Sequence, residues 1–135
     1  MATGSCLCGA ISYRINGDLD KIQICHCGQC RKAQGGPFAT NIPVLSDKFT
    51  ITAGKEKLKG YESPTRKGKF RMFCGDCGSP MYSHLEFDPK FVRVRAGTID
   101  EPVAAVIKHH QFVASKANWF EILDGHPQHA QSPEK

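Results

Sequence analysis

The sequence predicts a single, mostly-β domain, and three observations predict it. Thirteen glycines and eight prolines in 135 residues leave little room for long helices. Short runs such as Phe91-Val92-Arg93-Val94-Arg95 alternate apolar and polar residues, which is the period of a strand with one buried face. Seven cysteines fall into three tight groups, a staple for a core that would otherwise be small.

The elements follow in order. Ala10 to Ile15 alternates and reads as a strand, closed by the turn Asn16-Gly17-Asp18. Ile22-Gln23-Ile24 opens a second strand that runs into a cysteine group at Cys25. Gln29 to Gln34 is read as one short helical turn, stopped by Gly35-Gly36-Pro37. The strand pattern resumes at Phe38 to Val44 and again at Phe49 to Thr52, with a turn at Ala53 to Glu56. Leu58 to Glu62, Phe70 to Phe73, Met81 to Leu85, Phe91 to Ala96 and Ile107 to Val113 complete the strands. Ala117 to Phe120 is expected to make a short helical turn. Residues 1–124 are thus expected to form the domain, and residues 125–135, which carry no apolar pattern, a flexible tail.

Composition excludes several classes. No apolar run approaches the roughly 20 residues that cross a bilayer. The Met1-Ala2-Thr3-Gly4-Ser5 start has neither a basic nor an apolar signal region, so a cytoplasmic protein without a membrane partner is expected. There, cysteine groups mean metal or catalysis more often than disulfides. The formal charge of +5 invites an anionic partner. Its basic residues are scattered, however, and only Arg66-Lys67-Gly68-Lys69 with Arg71 is a local cluster. Zinc bound by four and by three thiolates would bring that charge to about +2. Nucleic acid is therefore not expected as a partner; the basic residues read as compensation and a solvated face.

The cysteine groups are Cys6-Leu7-Cys8-Gly9, Cys25-His26-Cys27-Gly28-Gln29-Cys30 and Cys74-Gly75-Asp76-Cys77-Gly78. An odd count cannot pair fully as disulfides, and residues two or three apart chelate well. The simplest partition joins Cys6, Cys8, Cys74 and Cys77 into a closed, structural zinc site. Cys25, Cys27 and Cys30 then form a second zinc site, whose fourth position water or a substrate can take. His26 is a poor fourth ligand, because neighbouring side chains in extended backbone point to opposite faces. A remote ligand (His84, His109 or His110) would turn this site structural, and Cys27-Gly28-Gln29-Cys30 could instead be a metal-free redox pair.

These blocks resemble the glutathione-dependent formaldehyde-activating enzyme family, also called the centromere protein V family. The resemblance runs from Gly4-Ser5-Cys6-Leu7-Cys8-Gly9 with Tyr13 through Cys25 to Lys32, Gly35, Gly54, Tyr61, Ser63 and Arg71. It continues in Phe73-Cys74-Gly75-Asp76-Cys77-Gly78-Ser79-Pro80 and Ala96-Gly97-Thr98-Ile99-Asp100, and ends with His110 and Ser115 to Phe120. Asn118 departs from a proline common in the family.

The resemblance implies an Mss4-like fold with the same partition: a structural zinc on Cys6, Cys8, Cys74 and Cys77 and a catalytic zinc on Cys25, Cys27 and Cys30. It implies a carbon–sulfur lyase acting on a glutathione–aldehyde adduct such as S-hydroxymethylglutathione, so glutathione or its adduct is the expected partner. Zinc favours thiolate over thiol, so a thiol bound there is a nucleophile at neutral pH. Proton transfer could use His26, His110 or water. His110 reads first as a strand histidine bonded to backbone, and Trp119 as a core aromatic. Arg31 and Lys32 stand beside the cluster in sequence, where they could meet glutathione carboxylates. The alternative reading is a non-catalytic zinc-binding interaction module.

Overall fold

The computed structural model describes residues 1–133. Ten strands and one short helix follow one another: β1 (Ala2–Ser5), β2 (Ser12–Ile15), β3 (Lys21–Cys25), α1 (Gly28–Gln34), β4 (Ala39–Leu45), β5 (Phe49–Ala53) and β6 (Leu58–Glu62). β7 (Lys69–Cys74), β8 (Pro80–Leu85), β9 (Asp88–Arg95) and β10 (Val106–Gln111) complete them. The mostly-β expectation holds, and the alternating runs are the strands. β1 was not foreseen, because Thr3-Gly4-Ser5 offers no apolar alternation. It forms by antiparallel pairing with β2, Gly4 opposite Tyr13. The helical turn expected at Ala117 to Phe120 is instead a tight turn, with the Phe120 N–H bonded to the Ala117 carbonyl. A 3₁₀ turn forms earlier, at Val113–Ser115.

The strands make two sheets. The small one runs β1-β2-β5, the large one β10-β3-β4-β9-β8-β7-β6, with β10 parallel to β3. The core lies between them. Ile11, Tyr13 and Ile15 meet Ile42, Val44, Val92 and Val94 of the large sheet. Met81 joins them from a bulge, where the register of β7 against β8 slips between Met72 and Phe73. Side chains alternate across a strand, so Asn41, Arg93 and Arg95 are carried to the opposite face of the large sheet. That face bears the candidate site.

One expectation is corrected here. The stretch from Gly125 was expected to be flexible, yet it docks along β10. Backbone bonds join His110 N–H to the Pro127 carbonyl (2.8 Å), His129 N–H to the His110 carbonyl (2.9 Å) and Phe112 N–H to the Gln131 carbonyl (3.1 Å). The cause is the free edge of β10, whose N–H and C=O groups need partners; a polar segment supplies them as well as an apolar one. Glu134 and Lys135, the end of the expected tail, lie outside the described residues.

Candidate metal centres and the cavity beside the second

The first cluster sits where the two sheets meet. Cys6 and Cys8 lie in the turn between β1 and β2; Cys74 ends β7 and Cys77 lies in the turn to β8. Gly9 and Gly78 follow the second cysteine of each pair, both at φ +80°. In that left-handed conformation each turn closes without a Cβ clash. Backbone N–H groups then point at sulfur: Ile11 N–H to Cys6 Sγ at 3.3 Å and Cys77 N–H to Cys74 Sγ at 3.5 Å. The Ser79 hydroxyl and N–H hold the Cys77 thiol down at about 5.

Dimensions test whether a metal fits. A tetrahedron of sulfurs about 2.3 Å from a central zinc has edges of about 3.8 Å. Cys6 Sγ and Cys8 Sγ are 3.7 Å apart, and Cys8 Sγ and Cys74 Sγ 3.8 Å. A disulfide would need about 2.05 Å, and all seven cysteines are free. All four sulfurs lie within 4.8 Å of one another, so this cluster can hold a metal ion as a closed site.

The second cluster is built at the end of β3. Cys25 is its last residue, and Cys27 caps α1 by accepting the Cys30 N–H at 3.3 Å. Gly35, at φ 65°, ends that helix after Gln34, as its sequence predicts. The sulfurs of Cys25, Cys27 and Cys30 lie within 4.8 Å of one another. Among the described residues no fourth histidine, cysteine or carboxylate joins them. Hydrogen bonds among the three thiols raise Cys25 and lower Cys27, as expected where such groups share few protons.

None of the histidines weighed as an alternative remote ligand (His84, His109 or His110) joins the three sulfurs. His84 stacks on Phe70, ring centroids 5.5 Å apart. His26 turns away from the sulfurs into a fully buried slot between Phe38 and Phe120. Its Nε2 meets His110 Nδ1 at 2.8 Å, and His110 Nε2 meets Asp124 Oδ2 at 2.8 Å. His110 is therefore bonded through its side chain to both neighbours, which corrects the expectation of a backbone-bonded imidazole. This chain fastens the Cys25-His26-Cys27 backbone to β10 and to the segment beyond it. Trp119, expected in the core, is 68% exposed instead; the turn it occupies faces outward.

A cavity of about 960 Å³ opens beside the three sulfurs. Lys69 and Arg71 of β7 and Arg93 and Arg95 of β9 form its floor. Lys21, Arg66 and Lys108 stand around them, and among the described residues no carboxylate lines it. Register explains the convergence: Arg71 is opposite Ser83, Ser83 opposite Arg93, and Asn41 opposite Arg95. The wall includes His109, whose Nε2 meets Gln111 Oε1 at 3.1 Å, and the docked C-terminal segment adds His129 and Ser132. Arg71 Nη2 approaches Cys30 Sγ at 3.8 Å and its Nη1 approaches Gln29 Oε1 at 3.4 Å. Ser63 Oγ donates to the same Gln29 oxygen at 2.9 Å, tying the β6–β7 loop to α1.

Arg31 and Lys32, which the sequence offered as possible contacts for glutathione carboxylates, do not line this cavity. They lie in the last turn of α1, where cations suit the carbonyl end of a helix. The cations that do line it are far apart in the chain. Only the period-two spacing of Lys69 with Arg71 and of Arg93 with Arg95 could have signalled them, and that pattern reads equally as a wet face.

Comparison with known proteins follows the same lines. A Halomonas elongata protein provisionally named a glutathione-dependent formaldehyde-activating enzyme is 30% identical over 126 residues, covering 88% of this chain and 79% of that protein. An uncharacterised lyase of Schizosaccharomyces pombe is 30% identical over 83 residues, 58% of this chain and 54% of its own. A crystal structure of a Rhodobacter sphaeroides protein superposes with a TM-score of 0.61 at 25% identity, covering 76% of this chain and 91% of that one. The family profile for the glutathione-dependent formaldehyde-activating enzyme matches residues 1–115. With both cysteine clusters assembled as that family's sequence blocks imply, the chain belongs to the glutathione-dependent formaldehyde-activating enzyme family.

Proposed function

We propose that the chain is a carbon–sulfur lyase acting on a thiol–aldehyde adduct, with glutathione and S-hydroxymethylglutathione the first pair to test. The observation that carries this reading is a three-thiol cluster that no fourth protein donor joins among the described residues, opening onto a cavity whose floor is cationic. We assign zinc to both clusters, two per chain. When bound by Cys25, Cys27 and Cys30, it supplies stabilisation of a thiolate at its fourth position.

The chain's own residues do the rest. In the cleavage direction the carbon–sulfur bond breaks, sulfur keeps the electron pair, and the hydroxyl loses its proton as the carbonyl forms. In the reverse direction the same proton goes back to oxygen. His26 and His110 face away from the cavity, whereas His109 lines it, and His109 is the imidazole we assign to that proton. Gln111, bonded to His109, fixes the ring. Arg71 beside Cys30 offsets the negative charge of the cluster.

The test joins stoichiometry to turnover. Native mass spectrometry is expected to find two zincs per chain, and one in Cys27→Ser. Exchange NMR is expected to show formaldehyde–adduct interconversion above the uncatalysed background, lost in Cys27→Ser and reduced about 10²-fold or more in His109→Gln. Retained activity in Cys27→Ser would end the lyase reading. Two zincs in the wild-type chain with no rate above background would instead favour an interaction module.

A further inference from the structure

The charge of the cavity specifies more about its ligand than a thiol. Four cations on the floor and three around it meet no carboxylate among the described residues. Arg71 Nε, Arg93 Nη1 and Arg95 Nε are buried without hydrogen-bond partners. Arg95 is only 5% exposed; its Nη1 is held by Asn41 Oδ1 at 2.6 Å and by the Arg93 carbonyl at 3.0 Å. These bonds fix its position without neutralising it. Arg95 is buried and Arg71 and Arg93 are half-buried; beyond the sulfur that Arg71 approaches, their unpartnered N–H groups on one sheet face call for an oxyanion. Arginine's planar fork suits carboxylate and phosphate alike.

Glutathione answers this demand poorly. Its two carboxylates come with an ammonium, so apart from sulfur it carries net −1. That ammonium would enter a cavity with seven cations and, among the described residues, no acid to receive it. Like charges brought together in a partly dry site weaken binding.

We propose, resting on the lyase reading, that Arg71, Arg93 and Arg95 form a site for a substrate half of net charge −2 or lower. That half is a phosphate, or a pair of carboxylates without a neighbouring ammonium, attached to the reacting sulfur. The thiol this chain serves is then more anionic than glutathione.

Titration calorimetry with thioethers tests this without turnover, since they have no sulfur proton to lose. Four ligands are compared on the purified full chain: S-methylglutathione, its N-acetyl derivative, the dimethyl ester of S-methylglutathione, and S-methyl phosphopantetheine. Capping the ammonium is expected to tighten binding at least tenfold over S-methylglutathione. The phosphate-bearing thioether should likewise gain tenfold or more, and the ester should bind weakest. Whichever of the two dianions binds more tightly names the source of the charge, and either order supports the proposal. In Arg93→Met the tenfold gain should vanish; Arg71→Met serves as a second variant should the first misfold. S-methylglutathione binding as tightly as its N-acetyl form, or the variants keeping the gain, would overturn it. An absence of turnover with every adduct would instead sink the lyase reading and leave the ranking of ligands standing.

Discussion

Tyr13 carries a hydroxyl into the core between the sheets, where it is 1% exposed. Its ring packs on Phe49 with centroids 5.2 Å apart, and its hydroxyl meets Thr98 Oγ1 at 2.7 Å. Thr98 in turn donates to the Arg95 carbonyl at 2.8 Å, so a core tyrosine helps fix an arginine of the cavity floor. Burial pushes the Tyr13 phenol up to about 12, with the Thr98 bond opposing it. A raised folded value means the native state holds its proton more tightly than the unfolded chain, whose tyrosines titrate near 10. The stability this contributes is complete below about pH 10 and is lost as pH rises toward 12. Tyr13→Phe is expected to cost about 1 kcal/mol at pH 8. Its alkaline decline should be shallower, so that urea midpoints of variant and wild type converge between pH 10 and 12. Parallel curves would show that this phenol does not titrate differently on folding. At this scale the sequence was legible where chemistry is local: all seven cysteines stand in their expected groups. Imidazoles were not, because whether His26, His109 or His110 faces the cavity depends on strands far apart in the chain.

Strands and turns were more legible than single polar side chains, since a period of two survives any partner. Every alternating run became a strand, whereas β1, held by pairing alone, left no signal. The same period was ambiguous about environment. The polar positions of β9 read as a wet face, yet Arg95 is buried and floors a cavity, because α1, the β6–β7 loop and the C-terminal segment rise around that side of the sheet. Gly54, between β5 and β6, shows what a turn can demand. It stands at φ +75°, and a Cβ there would lie 2.0 Å from the Ala10 carbonyl oxygen. Backbone cannot yield as a flexible side chain can, and the left-handed conformation adds its own cost. Gly54→Ala should therefore lose about 2–4 kcal/mol. Gly97→Ala, with no atom within 4 Å of its would-be Cβ, should change stability by less than about 0.5 kcal/mol. Equal urea midpoints for the two variants would refute the steric account. The segment after Gly125 failed to register for the opposite reason: it binds the edge of β10 through its backbone, which any polar sequence can do.

Across the whole molecule the two clusters are anchored differently, and the difference is set by where their cysteines lie. Cys6 and Cys8 lie in a turn between strands of the small sheet, Cys74 and Cys77 at the end of a strand of the large sheet and in the turn after it, so the four-sulfur cluster joins both layers that enclose the core. Cys74 is fully buried at that junction. Cys25, Cys27 and Cys30 come from a single stretch of chain at the mouth of a cavity, and bridge nothing. Metal bound by residues distant in sequence adds its binding energy to folding, because the unfolded chain cannot assemble the site. A cluster confined to six consecutive residues adds much less. Cys74→Ser should therefore lower the thermal midpoint by at least about 10 °C, the equivalent of several kcal/mol in a chain of this size. Cys27→Ser should leave it within about 3 °C of wild type while removing one of two zincs. Calorimetric scans with parallel zinc determination distinguish the cases. Equal losses of midpoint would mean that both clusters hold the fold. A stable Cys74→Ser chain with one zinc would mean that the apolar core between the sheets suffices without its staple. The predicted asymmetry is also what lets the cavity cluster be altered for chemical tests without unfolding the protein around it.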